Sequence, residues 1–140
     1  MKISLTKRPM AILLAMSVVA AGTALARESV VPELLDDYRR AGAGPADPAA
    51  GERLWTTEYA DARTGKKHSC VTCHTKDLRK NGKHARTGKR IEPMAPSVNP
   101  ERLTDRKKVE KWFHRNCKWT LGRTCTAQEK ADVLTYLEQW

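Results

Sequence analysis

The chain has 140 residues and a formal charge of +10, with 26 lysines and arginines against 16 acids, four cysteines and only one phenylalanine. That length allows one small domain with a modest core, which excludes a large multidomain enzyme. A basic balance invites nucleic acid as a partner for a cytosolic protein, but the first residues argue that this one leaves the cytosol.

Lys2, Lys7 and Arg8 form a basic front end, and an apolar run follows from Ala11 to Ala20. Ala24-Leu25-Ala26 then offers a small-x-small cleavage pattern, so residues 1–26 read as a secretory signal peptide. The apolar run is shorter than the ~20 residues that span a bilayer. The expected domains are therefore 1–26, removed on export to the periplasm, and 27–140, a single functional domain carrying a charge of about +7. No stable membrane insertion and no nucleic-acid partner are expected of it.

Residues 29–41 have helical spacing, with Val31, Leu34, Leu35 and Tyr38 on one face and Gly42 as the stop. The run Gly-Ala-Gly-Pro-Ala-Asp-Pro over 42–48 is a loop. A short helix follows with Ala50, Leu54 and Trp55 inward. Residues 76–100 are loop-rich, broken by Gly82, Gly88, Pro93, Pro96 and Pro100. No strand shows convincing alternation, and no internal repeat stands out. Thr104 can cap a helix over 105–116, where Val109, Trp112, Phe113 and Asn116 share a stripe. Thr126 with Glu129 three residues on is a capping box that opens a last helix packed through Ala131, Val133, Leu134, Leu137 and Trp140.

Cys70-Val71-Thr72-Cys73-His74 is C-x-x-C-H, the attachment signature for c-type haem. Two thiols three positions apart on a helical turn can reach both vinyl groups on one edge of a porphyrin. The adjacent histidine then lies under the iron, a standard proximal arrangement. A thioredoxin-like dithiol would need a βαβ pattern around the motif, which is lacking. A zinc site would need two further thiolates, and Cys117 and Cys125, eight apart, are expected to oxidise to a disulfide in an exported protein. The expected cofactor is one haem c, covalent through Cys70 and Cys73, with His74 on the iron.

The distal ligand decides what such a haem does. Met94, in Glu92-Pro93-Met94-Ala95-Pro96, is the only methionine after the leader, and methionine opposite histidine marks electron carriers. His68 stands too close to the motif to cross the ring, His84 lies in a basic loop, and His114 is off the apolar stripe. Asn116 is an amide on an apolar helix face, either a C-terminal cap or an oxygen aimed at iron. The basic residues around the motif, Lys66, Lys67, Arg79, Lys80, Lys83, Arg86, Lys89 and Arg90, suit either a solvated rim or an acidic redox partner.

The attachment motif, the loop Arg86-Thr87-Gly88-Lys89 with Ala95-Pro96-Ser97, and above all Val109-Glu110-Lys111-Trp112 with Arg115-Asn116-Cys117 closely resemble the sphaeroides haem protein (SHP) family. The resemblance continues through Gly122-Arg123, Cys125-Thr126 and Glu129-Lys130-Ala131-Asp132. It implies an all-α fold like that of class I cytochromes c, with four to five helices and long loops around one haem. It implies that Asn116 is the distal ligand of a high-spin ferric haem, released on reduction so that O2 or NO can bind. It makes Cys117–Cys125 the disulfide beside that ligand and Met94 a packing residue. Arg86 and Lys89 become candidates to meet the haem propionates. A dihaem cytochrome c and a membrane cytochrome b are the implied electron donors. The alternatives are a low-spin carrier with Met94 on the iron, and a terminal oxidase or peroxidase-like enzyme using the open site.

Overall fold

The computed structural model describes residues 27–140; the leader assigned to residues 1–26 lies outside the described residues. Helix α1 (Val31–Arg40) buries Val31, Leu34 and Tyr38, spaced so that they fall on one face. Glu33 in its first turn and Arg39 and Arg40 in its last match the helix dipole. Helix α2 (Pro48–Thr56) starts where Asp47 accepts from the Ala49 N–H at 2.8 Å, with proline at the first position.

Helix α5 (Ala127–Glu138) opens with the complete capping box: Thr126 accepts from the Glu129 N–H and Glu129 accepts from the Thr126 N–H. It packs on both α1 and α2. Gly51 sits at the α2–α5 crossing, where a Cβ would lie 2.1 Å from the Asp132 carbonyl oxygen. The absent side chain thus lets the two backbones meet. Buried Asp132 secures the crossing by accepting from the Asp47 N–H (2.8 Å) and the Gln128 amide (2.7 Å). Leu34, Leu134, Leu137 and Trp55 form the core of this three-helix unit.

Helix α4 (Arg106–Leu121) corrects two expectations. Its N-cap is Asp105, which accepts from the Lys108 N–H at 3.0 Å; Thr104 instead donates to the Glu101 carbonyl. It also runs beyond residue 116 to Gly122, whose φ of +72° closes it. Asn116 is therefore interior to the helix and cannot be its C-terminal cap.

Between these helices lie the single-turn helix α3 (Val71–His74) and four two-residue strands, β1 (Tyr59–Ala60), β2 (Lys67–His68), β3 (Gly82–Lys83) and β4 (Arg90–Ile91). They pair antiparallel as two small hairpins, β1–β2 and β3–β4, with Tyr59 opposite His68 and Gly82 opposite Ile91. Strands this short show no alternation in the sequence. Against the expectation of no repeat, Ala-Arg-Thr-Gly-Lys occurs twice, at 62–66 and 85–89. The two copies build one turn twice. The Gly65 N–H donates to the Asp61 carbonyl and the Gly88 N–H to the His84 carbonyl, with φ of +68° and +69°. Asp61 Oδ1 accepts from the Arg63 and Thr64 N–H groups, and His84 Nδ1 accepts from those of Arg86 and Thr87. Among the described residues no helix is long and apolar enough to cross a membrane.

Candidate haem site

One hairpin leads directly into the C-x-x-C-H turn and the other leans on it. Buried Ser69 begins the turn, its N–H bonded to Thr72 Oγ1 at 2.9 Å. The His74 N–H donates to the Cys70 carbonyl at 3.0 Å, and Thr75, at a φ of +65°, ends the helix. Gly82 lies against the Cys73 carbonyl, and the Ala85 N–H reaches Cys73 Sγ at 3.4 Å.

Cys70, Cys73 and His74 line a mainly apolar cavity of about 480 Å³, within the range of small-molecule and cofactor sites. Trp55, Leu134 and Leu137 come to it from the three-helix core, and α4 contributes Val109, Phe113 and Asn116. Helix α4 is held at this wall from its two ends. Near its start, Arg106 pairs with Glu33 at 2.7 Å, and Glu110 accepts from Tyr38 and, at 2.7 Å, from Lys130. Near its end, Cys117 and Cys125 form the expected disulfide, with Cα atoms 5.6 Å apart. There the Trp119 ring stacks on His68 at 4.2 Å between centroids.

The groups on this cavity fit a haem. Cys70 and Cys73 are not bridged to each other, although their spacing would suit a redox dithiol. Burial pushes the Cys70 thiol up to about 12, the opposite of what an attacking dithiol or a zinc ligand requires. The Cys117–Cys125 bridge removes the two sulfurs that a four-thiolate zinc site would need. Burial, with the positive charge of Arg102 second, pushes His74 down to about 4, which keeps the imidazole neutral and able to ligate metal. His74 Nδ1 and Trp55 Nε1 are both buried without a hydrogen-bond partner, a cost that an apolar core alone does not explain.

The remaining candidates separate by position. Met94 also lines the cavity, half-buried and packed on the core. Its N–H and that of Ala95 both donate to the carbonyl of fully buried Leu78. Lys89 lines the cavity and Arg86 does not; both are exposed. His84 reaches the cavity edge, while exposed His114 and half-buried His68 do not line it. The sequence reading missed Arg102. Arg102 lines the cavity, and its guanidinium donates to the Pro93 and Glu92 carbonyls at 2.7 and 2.6 Å, anchoring the loop that carries Met94. Nothing around Arg102 in the sequence sets it apart from the other basic residues.

The chain matches the family model "Domain of unknown function (DUF1924)" over residues 41–137. It is 44% identical over 127 residues to the cytochrome c-type protein SHP of Cereibacter sphaeroides, covering 89% of this chain and 95% of that protein. It is 45% identical over 74 residues to cytochrome c'' of Methylophilus methylotrophus, about half of each chain (53% and 51%). Among solved structures, oxidised SHP, described as an oxygen binding cytochrome c, superposes with a TM-score of 0.71 at 40% identity, covering 81% of this chain and 99% of that one. Oxidised cytochrome c'' gives 0.66 at 33% identity, covering 77% and 92%. A chain that matches SHP over most of its length in sequence and in structure, at 44% and 40% identity, belongs to the SHP family of c-type cytochromes.

Proposed function

We propose that this chain is an exported single-haem cytochrome c, working in the periplasm, that takes up an electron and then binds a small diatomic molecule, O2 or NO, at its iron. Cys70 and Cys73 would hold the haem covalently, and His74 would ligate its iron. Bound there, a haem would supply an iron that can change between ferric and ferrous states and, where a coordination position is open, take a diatomic ligand.

The protein's part is to close and open that position. Asn116 supplies a hard, neutral amide oxygen, which suits ferric iron better than the softer ferrous ion. On a reduced iron that oxygen would be held less firmly, and the freed amide N–H would be a donor for a diatomic ligand. The observation that carries this reading is that Asn116, inside α4 rather than at its end, lines the same cavity as His74. The relative described as oxygen binding supports the same reading. A dihaem cytochrome c and a membrane cytochrome b are the proposed donors.

Met94 on the same cavity keeps a second reading specific: a closed, low-spin His/Met carrier. Flash photolysis of the CO complex, followed by O2 mixing with the ferrous holoprotein, separates the two. Fast binding of both gases is expected of the Asn116 reading; a ferrous haem that binds neither supports methionine. Steady consumption of O2 or peroxide with a reduced donor would add an oxidase or peroxidase activity to the open site.

A further inference from the structure

We propose that hairpin β3–β4 is the docking surface for an acidic one-electron donor protein, which passes its electron to the haem across the Cys73 edge. The proposal rests on the reading that haem is attached at Cys73.

Three observations support it. The first is charge. The segment Lys83–Arg90 contains Lys83, His84, Arg86, Lys89 and Arg90 and no carboxylate, and all five are exposed. Only Arg90 has an acidic neighbour, Glu92 at 3.1 Å; Lys83, Arg86 and Lys89 form no ion pair among the described residues. The sister hairpin shares the arginine and lysine of this turn and differs by a carboxylate. There Asp61 fills the turn position that His84 fills here, and Arg63 lies 3.9 Å from it. The same backbone turn is thus built without its carboxylate on the Cys73 side.

The second is placement. The Ala85 N–H touches Cys73 Sγ at 3.4 Å, and the exposed residues His84, Lys89 and Arg90 line the cavity. The third is the chemistry of the macrocycle. Its two carboxylates stand on the pyrroles away from the vinyl-bearing edge that the cysteines hold. In this reading Arg86 and Lys89 meet the donor and not the propionates, and the exposed cations beside Cys73 are free to face an external acidic surface.

A donor seated there loses one electron as the iron passes from ferric to ferrous, and no proton need move. Complementary charge raises association rates by ~10–1000-fold, and salt reduces the gain.

The test uses ferric holoprotein, with covalent haem first verified by mass, and flavodoxin hydroquinone as an acidic one-electron probe that becomes the neutral semiquinone. Stopped-flow rates are compared for wild type, Lys83→Glu/Arg86→Glu, and Lys107→Glu/Lys111→Glu on exposed α4, which changes net charge equally. The hairpin pair is expected to lose about tenfold or more in second-order rate at low salt and most of its ionic-strength dependence, with the ferric spectrum unchanged and the α4 pair within about twofold of wild type. Equal losses in the two pairs would reduce the effect to net charge and overturn the proposal, as would a loss confined to α4. A protein without covalent haem would overturn the underlying reading and the proposal with it; insensitivity of the hairpin pair with haem in place would overturn the docking surface alone.

Discussion

Gly82 lies so close to Cys73 that a Cβ at position 82 would stand 2.0 Å from the Cys73 carbonyl oxygen and 3.1 Å from the Cα of His74. The hairpin and the attachment turn therefore form one unit. Gly82→Ala should drive them apart and misplace both the Cys73 thiol and the His74 imidazole. The share of exported protein carrying covalent haem, measured by haem staining against total protein, is expected to fall several-fold. Gly88→Ala, at a φ of +69° with only the end of Lys83 nearby, should cost about 1 kcal/mol of stability and leave attachment unchanged.

The Cys117–Cys125 bridge joins residues eight apart in sequence beside the cavity wall. Chain-entropy arguments give such a bridge about 2–3 kcal/mol. Cys125→Ser should lower the melting temperature accordingly. It should also speed ligand access to the ferrous iron, because it frees the end of the helix that presents Asn116. Unchanged ligand kinetics with a lowered melting temperature would make the bridge a staple only.

Acid should loosen the same helix from its other end. Glu110 is partly desolvated, which works against its charge, but hydrogen bonds from Lys130 and Tyr38 outweigh this and hold its carboxyl below the ordinary value. Arg123 does the same for Glu129 at the start of α5. Both groups bind fewer protons folded than unfolded. Their contribution is thus present above the unfolded carboxylate value of about 4.3 and is lost as pH falls through the lower folded values. Urea unfolding between pH 5 and 3 should show a steep loss of stability. Glu110→Gln should be less stable at pH 7 and show a shallower acid dependence.

Much of this was legible in the sequence where one local rule fixed one local structure. The Thr126–Glu129 box, the Val31–Leu34–Tyr38 face and the C-x-x-C-H turn each needed only neighbours along the chain. The end of α4 was misread because Asn116 and Cys117 look like a stop. The helix continues because Cys117 and Thr120 are buried on it and only Gly122 supplies the left-handed residue that closes it. The hairpins escaped because strands of two residues are too short to alternate. Their signal was the doubled pentapeptide, whose glycines both adopt positive φ. Arg102 had no local signal at all, since its partners are carbonyls nine and ten residues away.

Met94 gives a direct control. Its backbone is tied to Leu78 whatever its side chain does. As a packing residue it should tolerate Met94→Leu with an unchanged ferric spectrum and a stability loss under about 1.5 kcal/mol.

The ferric absorption and electron-paramagnetic spectra of the holoprotein, wild type beside Asn116→Ala, test the central claim most directly. Oxygen ligation predicts a high-spin wild-type spectrum without the long-wavelength band of methionine sulfur, and a variant that keeps its haem but binds azide or cyanide faster. A low-spin wild-type spectrum with the sulfur band, or a variant indistinguishable from wild type in both spectrum and anion binding, would contradict it.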